Sequence, residues 1–208
     1  MKDLLTLAQW LSPAFPVGAF AYSHGVETAV REGRVADADG LAAWLRDVMA
    51  HGSGRSDVVL LSLAYREDAA EVDKVARAFQ PSAERLREAE QLGAAFARTV
   101  RDVWGLDVPD LLYPVAVGRA AALKALPLQD TAALYAQGFL ANLVSAAVRL
   151  VPLGQTEGQA VLAGLASECE ALGQAAPDFT EDDLANAAFL SDIAAMRHEV
   201  LQPRSFQS

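Results

Sequence analysis

Residues 21–25, Ala21-Tyr22-Ser23-His24-Gly25, set a serine beside a histidine in a relaxed form of the G-x-S-x-G elbow that presents a hydrolase nucleophile. That elbow works by straining a turn between a strand and a helix, and the preceding run from Pro13 to Phe20 has two prolines and no strand-like alternation. Adjacency in sequence does not make a triad, which is a spatial arrangement. The stretch from His51 to Asp57, His-Gly-Ser-Gly-Arg-Ser-Asp, suggests a phosphate loop but lacks the G-x-x-x-x-G-K-[ST] pattern and a strand to present its amides. It reads as a turn between helices, with Ser56 or Asp57 capping the second. The three histidines, 24, 51 and 198, stand far apart, and Cys169 is the only cysteine, so no metal-ligand spacing occurs. His198-Glu199 reads as a solvated or capping pair. The carboxylates are abundant but dispersed, and no pair is spaced as acid and base. No catalytic residue, metal site or cofactor is therefore expected.

Composition narrows the classes further. The chain is 52% hydrophobic and 21% charged over 208 residues, enough for a real core in one globular domain. A formal charge of −10 disfavours nucleic acid, which is bound chiefly through Lys and Arg that neutralise phosphates and release their counterions. The uncharged run Thr131–Val148 approaches a membrane span in length, but Gln137, Asn142 and Ser145 interrupt it, so a helix buried in protein is expected and no membrane partner. A lone cysteine and an N-terminal run without the long apolar region of a signal peptide make the cytoplasm the expected compartment.

The elements that must position any site are helical. Leu4, Leu7, Ala8 and Leu11 form one apolar stripe, Leu41, Trp44, Leu45, Val48 and Met49 a second, and Val72, Val75, Ala76 and Phe79 a third. After Pro81, the series Leu86, Ala89, Gly93, Phe96, Val100 and Val103 predicts a long helix with a seam, ended by Gly105. Pro114 and Asp130 mark two further starts, Thr156 with Gln159 reads as a capping box, and Thr180 followed by three acids opens another helix. About ten helices are expected in one all-α domain spanning 1–208, around a buried central helix from about Asp130 to Val151.

Three stretches remain unusual. In residues 12–25, Pro13 and Pro16 fix an extended segment, Gly18 permits a turn, and Phe15, Phe20 and Tyr22 are expected to pack back onto the helices. Residues 148–159 read as a helix corner in which Arg149 reaches the helix's terminal carbonyls. The tail beyond Pro203 offers Arg204 and Phe206 as anchors and is expected to fray until a partner orders it.

Together these stretches resemble the urease accessory protein F family. The match runs in order through residues 8–27, the helix at Glu84 to Gly93, "NLVSAAVRLVPLGQTEGQ" at 142–159, and "MRHE" with Arg204, Phe206 and Ser208 at 196–208. The resemblance implies an all-helical, dimeric protein without a catalytic centre. It would bind the urease accessory D (or H) protein and recruit the accessory GTPase G for nickel insertion into apo-urease, with an effect on the GTPase as well. The partner-facing residues it implies are Phe20, Tyr22, Ser23, Glu27, Arg149, Arg197, His198, Glu199, Arg204 and Phe206. The tail departs from the family's usual run: Val200, Leu201, Gln202, Pro203, Ser205 and Gln207 replace six residues, removing a tyrosine and a second arginine. Ala19 and His24 stand where glycine and glutamine are usual. The rival class is a helical small-molecule binding protein or enzyme whose site is composed only in three dimensions.

Overall fold

The structure is a computed structural model and describes residues 1–185 and 187–208. Among the described residues there is no strand; eleven α-helices follow one another with three short 3-10 turns. The helices are α1 (Lys2–Trp10), α2 (Val26–Arg31), α3 (Ala38–His51), α4 (Ser53–Arg66), α5 (Ala69–Ala78) and α6 (Ala83–Trp104). Then come α7 (Tyr113–Leu123), α8 (Leu128–Leu150), α9 (Gln155–Ala163), α10 (Ala166–Ala175) and α11 (Phe189–His198).

Side-chain caps explain several boundaries. The carboxylates of Asp37 and Asp68 accept the Gly40 and Ala70 amides at 2.8 Å each, and the Ser82 hydroxyl accepts the Arg85 amide at 3.2 Å. Gly105 ends α6 in the left-handed region at φ 65°, as its sequence position suggests. Two expected starts differ. The N-cap of α9 is Gly154, whose amide donates to the Glu157 carboxylate at 2.8 Å, so Thr156 lies inside the first turn. Thr180 caps only the 3-10 turn Glu181–Asp183, because the Asp183 carboxylate folds back on the Thr180 amide and hydroxyl instead of leaving the turn free to propagate. Likewise His51 to Asp57 contains a one-residue break at Gly52, which is the N-cap of α4; Ser56 and Asp57 are buried inside that helix and not at its start.

The first stripe is rotated from its predicted position. Leu7 and Trp10 are buried while Leu4 is exposed, because Trp10 packs edge-on against both Phe96 and Trp104 at centroid distances of 5.5 and 5.6 Å. At the far end of the α6 seam, Val103 is exposed. The most enclosed helix is α4, not α8: every residue from Ser56 to Ala64 is buried, among α3, α5, α7 and α8. The α7 helix approaches it so closely that a Cβ on Gly118 would lie 2.2 Å from the Leu61 carbonyl oxygen. By contrast α8, the one described helix long and apolar enough to cross a membrane, packs on α2, α4, α9 and α10 and leaves Ser145 and Arg149 at the surface.

Candidate functional site

The unusual stretches at the two ends of the sequence meet in space, on a platform supplied by α6. The tail lies alongside the loop before α2 and runs in the same direction: the Ser23 amide donates to the Ser208 carbonyl at 2.7 Å, and the Gln207 amide to the Ala21 carbonyl at 2.9 Å. The Ser23 hydroxyl also donates to the Ser208 carbonyl, at 2.6 Å, while His24 faces Glu88, so these neighbours make no nucleophile–base pair. The tail is thus ordered by its own chain, where fraying was expected.

Three carboxylates carry the knot. Glu27, buried on α2, accepts the Ser205 amide at 2.9 Å, the Phe206 amide at 3.0 Å and Arg31 at 3.0 Å. Burial pushes its pKa up, but the Ser205 amide, His198 and the Phe206 amide outweigh this and hold it below the usual range. His198 is fully buried between two of the three, its Nδ1 2.8 Å from Glu84 and its Nε2 3.3 Å from Glu27. The expected solvated pair is therefore split, since α11 lays His198 inward against α2 and α6. Its neighbour Glu199 does cap: it is exposed and accepts the Ala83 amide of the α6 N-terminus at 2.8 Å. Arg204 closes the set as an ion pair with Glu84.

Glu88 is the third carboxylate. It lies 2.5 Å from His24 Nε2, 2.5 Å from Arg85 Nη1, and accepts the Ser208 hydroxyl at 2.6 Å. Its burial alone would raise its pKa; the Arg85 guanidinium and His24 bring it down to about 2. Beside them Asp57 accepts the Tyr135 hydroxyl at 2.9 Å, and burial raises it to about 6 against the pull of Arg85 and that hydrogen bond.

Backbone geometry makes this possible. Gly25 takes φ 79°, and a Cβ there would sit 2.7 Å from the Ala195 amide nitrogen, so only glycine lets α2 begin against α11. Arg149, expected to satisfy helix carbonyls, reaches its own helix at Ser145 (3.3 Å) and also the Phe20 carbonyl at 2.8 Å, while its guanidinium lies 4.3 Å from the Phe206 ring centroid. Tyr22 is buried and donates to Gln91 at 2.5 Å, and Asn142 donates to the Tyr22 carbonyl at 3.3 Å. Phe15 and Tyr22 pack inward as expected; Phe20 does not, and is 69% exposed.

The ten residues singled out from the sequence thus divide. Tyr22, Ser23, Glu27, His198 and Phe206 are buried in the knot, whereas Phe20, Arg149, Arg197, Glu199 and Arg204 reach solvent. Arg197 pairs with Glu32 at 2.8 Å. Sequence reasoning missed Asp57, Glu84, Arg85 and Glu88 as the platform. A signal existed: counting back from Phe96 through Leu92 in steps of four places Glu88 and Glu84 on the core face of α6, where charges must be paired.

Next to the knot, α11 is amphipathic with its large side chains outward. Ser191, Ala194, Ala195 and His198 face the protein, while Phe189 (69%), Leu190 (49%), Ile193 (41%) and Met196 (50%) are exposed, with Val200 (82%) just beyond. Among the described residues no group of three or more His, Cys, Asp or Glu side chains is placed to hold a metal ion.

The chain is thus all-helical, with its N-terminal loop and tail joined beside an uncovered apolar helix face. Comparison with known sequences gives the particular family. The UreF family profile matches residues 35–166. The chain is 52% identical to the urease accessory protein UreF of Roseobacter denitrificans, covering 98% of this chain and 93% of that protein. It is 52% identical to that of Cereibacter sphaeroides (99% and 98% covered) and 47% identical to that of Ruegeria pomeroyi (100% and 97%). The chain belongs to the UreF family, whose members are accessory proteins and not enzymes.

Proposed function

We propose that this protein serves urease maturation in the cytoplasm as a docking scaffold. It binds the accessory D (or H) protein and, with that protein in place, recruits the accessory GTPase G, so that nickel, the cargo of the assembly, enters apo-urease at the expense of GTP. The working unit is a homodimer. The observation that carries the reading is the outward apolar face of α11: a helix that turns alanines inward and Phe189, Leu190, Ile193 and Met196 to water needs a protein to cover them. Its continuity with the tail knot supports Arg197, Glu199 and Arg204 as the polar rim of that interface, with Phe20 and Arg149 on the loop side. The buried residues Tyr22, Ser23, Glu27, His198 and Phe206 hold this surface in shape.

The test is co-purification with the D protein. Ile193→Asp with Met196→Asp is expected to abolish the complex while the chain melts at an unchanged temperature; a retained complex overturns the reading. Deleting residues 197–208 is expected to leave a folded chain that no longer holds the D protein. For the GTPase, alanine at Arg149, Arg197 or Arg204 separates two roles. An arginine finger costs about a thousandfold or more in activated hydrolysis, and a smaller effect assigns these residues to docking.

A further inference from the structure

Residues 4–23 and 131–148 contain no charged side chain, and the fold lays the two stretches side by side. Leu11, just past α1, backs onto Gly138 of α8, where a Cβ would lie 3.4 Å from the Leu11 carbonyl oxygen. The 3-10 turn Ala19–Ala21 then packs on the same helix. Together they leave an uncovered face. On α8, Gln137, Gly138, Ala141, Asn142, Ser145 and Val148 keep surface in water, and their spacing puts all six on one side of the helix. Leu4 and Leu5 of α1 are exposed as well.

Between the loop and α8 this face opens into a cavity of ≈ 160 Å³, walled by Val17, Leu92, Phe139 and Ala141. The exposed Pro13, Phe20 and Ser145 frame its mouth. A cavity of about 150 Å³ between apolar side chains holds one benzene ring. Such a ring stands beside it. Phe20 is 69% exposed, yet its backbone is held, since its carbonyl accepts from Arg149 at 2.8 Å. An apolar knob that is already fixed loses little freedom on docking.

Knob and hole side by side on one face suit a two-fold contact, in which each copy offers the other what it receives. Charge selects the same occupant. Two copies of a chain with formal charge −10 repel over most of their surfaces, and this face lets them meet without opposing like charges. Size agrees: a standard interface takes about 20–30 residues from each side, and the two uncharged stretches leave about twenty with surface in water.

We propose that a second copy of this chain docks here about a two-fold axis, with Phe20 of each copy seated in the cavity of the other. The contact rests on the homodimer reading and names its interface. It is built from other elements than the α11 face, with Phe20 at the border of the two surfaces.

The test is sedimentation of the full chain alone, without the D protein. The parent chain is expected to be a dimer. Phe20→Glu and Ser145→Glu lie at exposed positions, so each should keep its helix content by circular dichroism. Each is expected to weaken the dimer at least about thirtyfold, the scale of a lost hot spot. Ile193→Asp with Met196→Asp, on α11, should leave the dimer intact. A monomeric parent chain overturns the homodimer and this contact with it. A dimer that withstands both glutamate substitutions, or one that the α11 pair breaks, overturns this interface and leaves the homodimer standing.

Discussion

The contact between α4 and α7 and the knot of loop, tail and α6 are both buried, but they are built from opposite materials. Where α4 meets α7, Gly118 lets one backbone come up against the other at the Leu61 carbonyl, among small and apolar side chains. In the knot, amides, hydroxyls, two imidazoles and three arginines converge on Glu27, Glu84 and Glu88. Close packing fails all at once, because an added atom has nowhere to go. A network of directed polar contacts holds one conformation just as firmly, yet most of its members can find water when the tail lifts. The core sets the fold and the knot sets the surface.

The sharpest way to break this contrast is in the core. Gly118→Val puts a branched side chain where even a Cβ would lie 2.2 Å from the Leu61 carbonyl, and is expected to cost about 3 kcal/mol or more. A urea melt should show loss of the whole cooperative transition. Survival with ordinary stability would mean that α4 and α7 separate freely. Glu88→Ala comes next. It strands the buried Arg85 guanidinium and removes the acceptor of His24 and Ser208, at about 3–5 kcal/mol. Glu88→Gln, which keeps an acceptor without the charge, should recover part of that loss.

Phe206→Ala is expected to separate surface from fold. The ring is buried in the knot and carries the Arg149 guanidinium, but it is one side chain on a ten-residue tail and not part of the main apolar cluster. We expect a loss of about 1–2 kcal/mol, and much faster amide exchange at Ser205, Phe206 and Gln207 than in α4. Uniform exchange across both regions would show that the knot and the core melt as one.

This division also marks what could be read in the sequence. Helix periodicity and the stop at Gly105 are local signals, and the structure realises them; the caps Asp37, Asp68 and Ser82 are just as local but were not singled out. The sense in which α1 faces the core depends on Trp104 and Phe96, far along the chain, so the first stripe was rotated from its predicted position. The docking of the tail depends on Glu27 lying 178 residues away from Ser205, a distance no periodicity spans. The resemblance named most of the knot's end residues as partner-facing and covered the helix from Glu84 to Gly93, but gave Glu84, Arg85 and Glu88 no role, because a charge on a helix face reads as solvated until its counter-charge is located.

The smallest expected effect isolates Asp57, a carboxyl buried in α4 that burial raises to about 6. A carboxyl bound more tightly to its proton in the folded chain stabilises the fold fully below its unfolded value and loses that contribution as pH rises through its folded value. Glu88 has the opposite sign: held down to about 2, it stabilises above its unfolded value and fails only in strong acid, so it is silent between about pH 5 and 7. Asp57→Asn keeps an acceptor for the Tyr135 hydroxyl and cannot ionise. The stability of the parent chain minus that of the variant should therefore fall as pH is raised from about 4 to about 7, with urea melts at each pH as the measurement. A difference that stays flat across that interval would place Asp57 in contact with water, with an ordinary carboxyl pKa in the folded chain.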